Sequence, residues 1–270
     1  MANETGQLPP IEVLDEVGST NVLMMERGRA AAEHGAAVRA RVQTAGRGRR
    51  AHAWSSPEGG LYLSVLVRSQ VAPAQLPGLP VACALGIVDA LRAVGCSRAQ
   101  LKWPNDVVVG RAKLAGILTE LGQGDGAPFA VCGVGVNVRE PKHTALISGA
   151  LLPAGLAGTL DVGCDLPGLD ELAERVRAGI LVAVDAWEQG LRVAGETAMP
   201  LTGLVDAYNE HLAFRGERIS VSAVDGARVF RGMLLGVDEQ GRALVKDDAD
   251  FVRSLDASLV SIRPAEQEEA

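Results

Sequence analysis

The 270-residue sequence predicts an α+β protein in two parts: residues 1–212, where strand-like and helix-like segments are mixed, and residues 213–270, a small all-β unit. Three observations carry this reading. A hydrophobic content of 47% is enough for a sizeable core. Through the first part the apolar spacing switches repeatedly between a strand period and a helix period. After Phe214 the texture changes to short strand-like runs parted by Gly or Asp turns, which suggests a barrel of about 50 residues.

In order, IEVL (11–14) reads as a short strand, and Gly18-Ser19-Thr20-Asn21 supplies a turn and N-cap residues for a helix running to about residue 34. AAVRARVQTA (36–45) and LYLSVLVR (61–68) read as extended, with the arginine- and glycine-rich loop QTAGRGRR (43–50) between them. From residue 74 to 94, Leu79, Cys83, Ile87 and Leu91 recur at helical spacing, as on a buried face. LKWPNDVVV (101–109), a Gly110-Arg111 turn and KLAGILTEL (113–121) read as a β-hairpin across which Lys113 and Asp106 meet. FAVCGVGVNV (129–138) reads as a further strand, 169–194 as an amphipathic helix, and 201–212 as a shorter one. RISVSAV, RVFRGMLLGVD, RALVKDD and LVSIRP form the final β unit, and the acidic tail AEQEEA has nothing to pack and reads as disordered.

Charge and cysteine usage narrow the function classes. A net charge of −7 and a pI near 5.2 argue against a nucleic-acid footprint, so the three arginines of GRGRR form a local, site-sized patch. Cys83, Cys96, Cys132 and Cys164 lack metal-ligand spacing and read as core residues. The N-terminus has no basic region followed by an apolar run, and no uninterrupted apolar segment is long enough for a bilayer, so the expected compartment is the cytoplasm, with no membrane partner.

Four features carry chemistry. GRGRRA (46–51) fits the GxGxxA dinucleotide fingerprint in letters only, because His52-Ala53-Trp54-Ser55-Ser56-Pro57 is a poor helix start; no GxxxxGK[ST] phosphate loop occurs. The loop instead suits closure on an anion, with glycine amides approaching the ligand and guanidiniums neutralising it. KWPND (102–106) followed by Lys113 places polar residues at a bend. GVGVNV (133–138) puts two glycines in an apolar strand, permitting close approach of a ligand or backbone. GSTN (18–21) is the fourth. Singly, each is equally well a solvated turn, an exposed ion pair, a bulged core strand or a helix cap.

In this order in one chain, however, GSTN, QTAGRGRR before a Trp, KWPND with KLAGIL, and GVGVNV closely resemble the biotin protein ligase family, from roughly Ile11 to Arg263. The resemblance implies a catalytic domain with a mixed sheet like that of class II aminoacyl-tRNA synthetases, followed by an SH3-like barrel. It implies activation of biotin with MgATP to biotinoyl-AMP, then transfer to one lysine of a biotin carboxyl carrier protein. By similarity Arg49, Lys113 and Asp106 are the catalytic set. Arg49 joins Arg47 in the loop over biotin and phosphate, Lys113 faces the carboxylate and α-phosphate, and Asp106 orients the acceptor amine or takes its proton. Ser19, Thr20, Asn21, Gln43, Gly46, Arg47 and Gly116 are implied as biotin-binding; Arg49, Trp54, Asn137 and Arg263 as nucleotide-binding, with Asn137 near the metal. The loop is expected to be mobile without ligand and to order over biotin.

Two departures stand out. The familiar loop continues GRGRRGRKW, whereas this chain reads GRGRRAHAW, losing phosphate-facing charge that His52 replaces only when protonated. The acidic residue expected just before Arg263 is not evident. Alternatives within the resemblance are a lipoate-type ligase, which would need a long apolar tunnel, and a non-catalytic biotin-binding module. A DNA-binding repressor form would need a helix-turn-helix ahead of the first strand, where this chain has ten residues, so no nucleic-acid partner is expected. Monomer and homodimer both remain open.

Overall fold

A computed structural model of the chain describes residues 8–124, 128–138 and 167–265. Cys164 and most of the acidic tail lie outside the described residues. Seven strands form one mixed sheet: β1 (Glu12–Val17), β2 (Ala37–Gln43), β3 (Leu61–Val67), β4 (Ala99–Lys102), β5 (Asp106–Val109), β6 (Ala112–Gln123) and β7 (Pro128–Val136). Their spatial order is β1-β2-β3-β7-β6-β5-β4, with β1 and β2 parallel and every other pair antiparallel. Among the described residues four α-helices accompany it: α1 (Thr20–Arg29), α2 (Leu79–Ala93), α3 (Leu169–Ala194) and α4 (Val205–His211). Five further strands, β8 (Arg218–Ala223), β9 (Arg228–Val237), β10 (Ala243–Asp247), β11 (Val252–Leu255) and β12 (Val260–Pro264), make an antiparallel sheet ordered β11-β10-β9-β8-β12.

Strand alternation explains the layering. Leu61, Leu63, Val65 and Val67 of β3 turn into the main core with α2 and α3, whereas Leu66 turns to the opposite face and packs with Met24 of α1. β7 repeats the pattern, Val134 and Val136 facing the main core and Phe129 and Val131 facing α1. On α1 the buried residues are Thr20, Asn21, Met24 and Gly28, one helical stripe. α2 and α3 cross closely at Gly86 and Gly179, where a side chain on either would meet the other's backbone carbonyl. The 18-residue stretch Leu76–Ala93 is apolar enough to pass for a membrane span, but 61% of it is buried inside the protein, as in a core helix.

Several elements differ from the sequence reading. α1 ends at Arg29, short of residue 34, and Ala31 follows in the left-handed region (φ 61). α2 starts at Leu79 rather than 74, after a short 3-10 turn over Leu76–Gly78 in a stretch containing Pro73, Pro77 and Pro80. LKWPNDVVV is two strands, because KWPND turns the chain and pairs Lys102 with Asp106 across the bend. β11 was not anticipated: Val252, Arg253 and Ser254 are exposed and show no alternating apolar pattern.

Candidate functional site

The α1 face of the sheet is interrupted where Gly116 of β6 and Gly135 of β7 stand as cross-strand neighbours. Trp54 lies over them. A Cβ at Gly116 would sit 2.9 Å from Trp54 Cζ3, and one at Gly135 would collide with the indole nitrogen, so both positions are glycine to admit the ring. Trp54 Nε1 is buried with no hydrogen-bond partner among the described residues, a donor awaiting an acceptor. Lys113 Nζ stands 5.0 Å from the Trp54 ring centre, within cation–π range.

Beside this floor the GSTN segment and Gln43 form one polar network. Ser19 is the N-cap of α1 yet makes no side-chain capping bond. Thr20 donates through its backbone N–H (2.9 Å) and its hydroxyl (3.1 Å) to Gln43 Oε1, and Gln43 Nε2 donates to Ser56 Oγ at 2.8 Å. Ser64 Oγ lies 2.8 Å from Thr20 Oγ1 and 2.6 Å from Asn21 Oδ1. Asn21 Nδ2 donates to the Leu118 carbonyl at 3.2 Å and to Glu120 Oε2 at 3.0 Å. Asn21 therefore spends both ends of its amide inside the protein, locking α1 to β3 and β6.

The arginine loop is a short hairpin excursion. Bridges at Gln43 with Ser56 and at Arg47 with Ala53 close it, and a 3-10 turn over Arg49–Ala51 caps it, with Arg50 left-handed at φ 55. No helix follows, as the sequence anticipated in setting the dinucleotide fingerprint aside. Gly46 is required here, since a Cβ would strike the Trp54 carbonyl. Arg47 pairs with Glu120 at 2.9 Å. Arg49 spans two turns, donating to Asn105 Oδ1 at 3.4 Å and to the Ala257 carbonyl at 2.9 Å. Arg50 donates to the same carbonyl at 2.7 Å and to that of Val260 at 3.3 Å. Burial and the adjacent Arg50 lower the Arg49 pKa, opposed by Asp106 and Asp256. Two guanidiniums thus converge on one neutral acceptor, which leaves positive charge for an anion.

Asp106 is the charged centre of the KWPND turn. Lys113 Nζ is 2.6 Å from Oδ1 and Lys102 Nζ 3.2 Å from Oδ2, so the anticipated cross-hairpin pair forms and gains a second lysine. Burial opposes ionisation of Asp106, but Lys113 and Lys102 outweigh it and hold the carboxyl below its ordinary value. Such a group is a weak base and a good orienting anion. Asn105 fastens the turn, its Nδ2 donating to the Ile117 carbonyl at 2.9 Å. Asn137 fastens the start of β6, its N–H donating to Leu114 O at 2.9 Å and its Nδ2 to Lys113 O at 3.1 Å. Arg263 is exposed on β12, the strand that follows the turn gripped by Arg49 and Arg50.

The sequence reading marked Asn105 only as a polar residue where a turn or a site is expected, and did not single out Lys102, Ser56, Ser64 and Glu120 as site residues. Glu120 was within reach, since it follows Gly116 and Leu118 at strand spacing on one face; Ser64 sits in a wholly apolar strand and offered only its polarity as a signal. No group of three or more His, Cys, Asp or Glu positioned for a metal occurs among the described residues. A concavity of about 520 Å³ lined by Asn209, Leu212, Arg215 and Leu234 lies at the seam of α4 and β9 and holds none of the residues above. The site is better located by converging charge and orphaned polar groups than by hollow volume.

A mixed sheet carrying an arginine loop, a KWPND turn and a glycine floor defines a class, and residues 15–137 match the biotin/lipoate A/B protein ligase family model. The chain belongs to that family. Within it, the chain is 32% identical over 238 residues to the biotin--[acetyl-CoA-carboxylase] ligase of Mycobacterium tuberculosis, covering 86% of this chain and 81% of that one. It is 32% identical over 218 residues to the protein of the same name from Paracoccus denitrificans, covering 78% and 84%. Among solved structures, the biotin protein ligase of Aquifex aeolicus in complex with biotin and ATP superposes with a TM-score of 0.75, at 23% identity, covering 96% of this chain and all of that one.

Proposed function

We propose that this protein activates biotin with ATP to biotinoyl-AMP, releasing pyrophosphate, and transfers the biotinoyl group to a lysine of a biotin carboxyl carrier protein. The observation that carries the reading is the convergence of Arg49, Lys113 and Asp106 around Trp54 and the Gly116–Gly135 floor. The names of the curated relatives support it.

The first step brings a carboxylate to the α-phosphate of a polyanion, so the site must offset repulsion and stabilise charge developing on the phosphoryl oxygens. Arg47, Arg49 and Lys113 supply that charge. Ser19, Thr20, Gln43, Gly46, Arg47 and Gly116 form the biotin side, where a neutral, polar ureido ring needs matched partners, and Asn21, its amide already spent on Leu118, Glu120 and Ser64, holds α1 in place beside them. Trp54, Asn137 and Arg263 complete the nucleotide side. Mg²⁺ fits this site as a companion of the triphosphate, since it keeps waters and phosphate oxygens and asks for only one or two protein ligands. In the second step a free lysine is neutral in only about one molecule in 2,500 at pH 7, so the acceptor amine must be held while it loses a proton. Asp106 serves that role. The five-stranded unit, residues 213–270, is read as an SH3-like barrel appended to the catalytic part, and the enzyme as cytoplasmic.

The test is biotin-dependent exchange of pyrophosphate into ATP, beside lipoate and beside R49A. Exchange with biotin alone, reduced about ten- to a hundred-fold in kcat/KM by R49A, is the expected outcome, the loss of one charge-assisted contact. Exchange with lipoate instead would assign the chain to the other branch of the family; tight biotin binding without exchange would make it a binding module.

A further inference from the structure

Lys102 is a charged residue that the catalytic scheme above leaves unused. It and Lys113 hold separate oxygens of Asp106, a side chain only 15% exposed. The two lysines are not equivalent. Lys102 and Asp106 are cross-strand partners at the closed end of the β4–β5 pair, so their backbones are fixed to one another. Lys113 sits opposite a register shift between Val107 and Val108, and its ammonium stands over the Trp54 ring, while Arg49 reaches Asn105, the residue next to Asp106. An anion bound against Trp54 and Arg49 therefore meets Lys113, and not Lys102, first.

We propose that Lys102 is a positioning residue that keeps Asp106 in place, while Lys113 covers the second Asp106 oxygen until an anionic acyl-phosphate ligand draws it away and lets the acceptor ammonium take its place. The inference rests on the ligase reading above and gives its two half-reactions an order. With both lysines in place, an acceptor ammonium would be a third cation around one carboxylate. Once Lys113 has moved to the ligand's phosphate, the acceptor replaces it and the charge around Asp106 is unchanged. Among the described residues two other groups face this carboxylate: Arg49, and the buried Tyr208 of α4, whose phenol is pushed up by burial and by the Asp106 charge. Neither replaces Lys102, because Arg49 is held by Asn105 and Ala257 and Tyr208 carries no positive charge. In the transfer itself the acceptor nitrogen forms the amide C–N bond, and the acyl C–O bond to AMP breaks with its electron pair leaving on AMP. The two protons lost from the ammonium pass to solvent.

The experiment separates the half-reactions in wild type, K102M, K102R, D106N and K102M/D106N. Biotin-dependent pyrophosphate exchange reads the first; single-turnover transfer from purified biotinoyl-AMP to the isolated biotin carboxyl carrier domain of an acetyl-CoA carboxylase reads the second. K102M is expected to slow transfer about ten-fold more than it slows exchange, K102R to recover most of the loss, and K102M to add less than about two-fold to D106N. Equal losses in both half-reactions, or a full K102M effect on top of D106N, would overturn the proposal while leaving the ligase reading intact. Absence of exchange in the wild type would overturn that reading itself, and this inference with it.

Discussion

Asp106 shows how a single carboxylate gains a defined role from its neighbours. Its side chain is mostly buried, which alone would favour the neutral acid, but two ammonium groups reverse the balance and keep it ionised. The folded pKa is thus below the unfolded value of about 3.9. The stability that ionised Asp106 contributes is fully present above that unfolded value and is lost as pH falls through the lower folded one. Thermal melts of wild type and D106N should therefore differ at pH 6, and the difference should shrink as the pH falls below about 4; a difference that grows in acid would mean that the ion trio is not what holds the turn. The same geometry bears on catalysis, because a carboxylate held this acidic orients an amine better than it deprotonates one. How much of this is legible in the sequence follows from distance along the chain. Lys113 and Asp106 are near neighbours across a recognisable hairpin and pair on sequence grounds alone, whereas the contact from Arg49 to Ala257 spans 208 residues and leaves no local signal.

Elements are legible where burial imposes a period and illegible where it does not. β3 is buried at every position and α3 buries Leu172, Val176, Ile180, Val184, Trp187 and Leu191 at helical spacing, so composition and period locate both. β11 is exposed at three of its four positions and escapes that reading. LKWPNDVVV reads as one arm of a hairpin because its flanks are strand-like, although its Trp-Pro pair marks a bend, the Pro removes a ladder donor and the chain reverses there. Glycines mark a further limit, since a sequence cannot distinguish one that admits a neighbouring backbone from one that merely weakens a helix. Gly86 in α2 faces the Gly179 carbonyl, while a methyl group added at Gly190 in α3 would meet nothing within 4 Å among the described residues. G86A should lower stability by about 1–3 kcal/mol through overpacking, despite alanine's better helix propensity. G190A should raise it by roughly 0.5–1 kcal/mol. Chemical denaturation of the two variants checks both, and equal signs would contradict the close α2–α3 crossing.

At the scale of the whole molecule, the five-stranded unit is bound into the catalytic sheet rather than hung from it. Buried residues of both, from Leu63 and Trp103 to Ile219, Leu234 and Val245, belong to one continuous apolar cluster. Polar contacts cross at several points: Trp103 Nε1 donates to Gly241 O at 3.0 Å, Leu201 N to Glu239 O at 2.9 Å and Val237 N to Asn209 Oδ1 at 2.8 Å. Both loops of the candidate site are held from this side, KWPND through Trp103 and the arginine loop through Ala257. A change of texture after Phe214 thus locates a change of architecture without showing that the second part is separable. Shared burial makes the unfolding of one part expose the core of the other, which is the condition for cooperativity. The chain should therefore melt in a single calorimetric transition whose van't Hoff and calorimetric enthalpies agree. W103F, which removes the crossing hydrogen bond, should shift that transition down without splitting it. Two resolved transitions, or a W103F variant in which only one part loosens, would mean that residues 213–270 fold independently and that the brace on the two site loops is incidental.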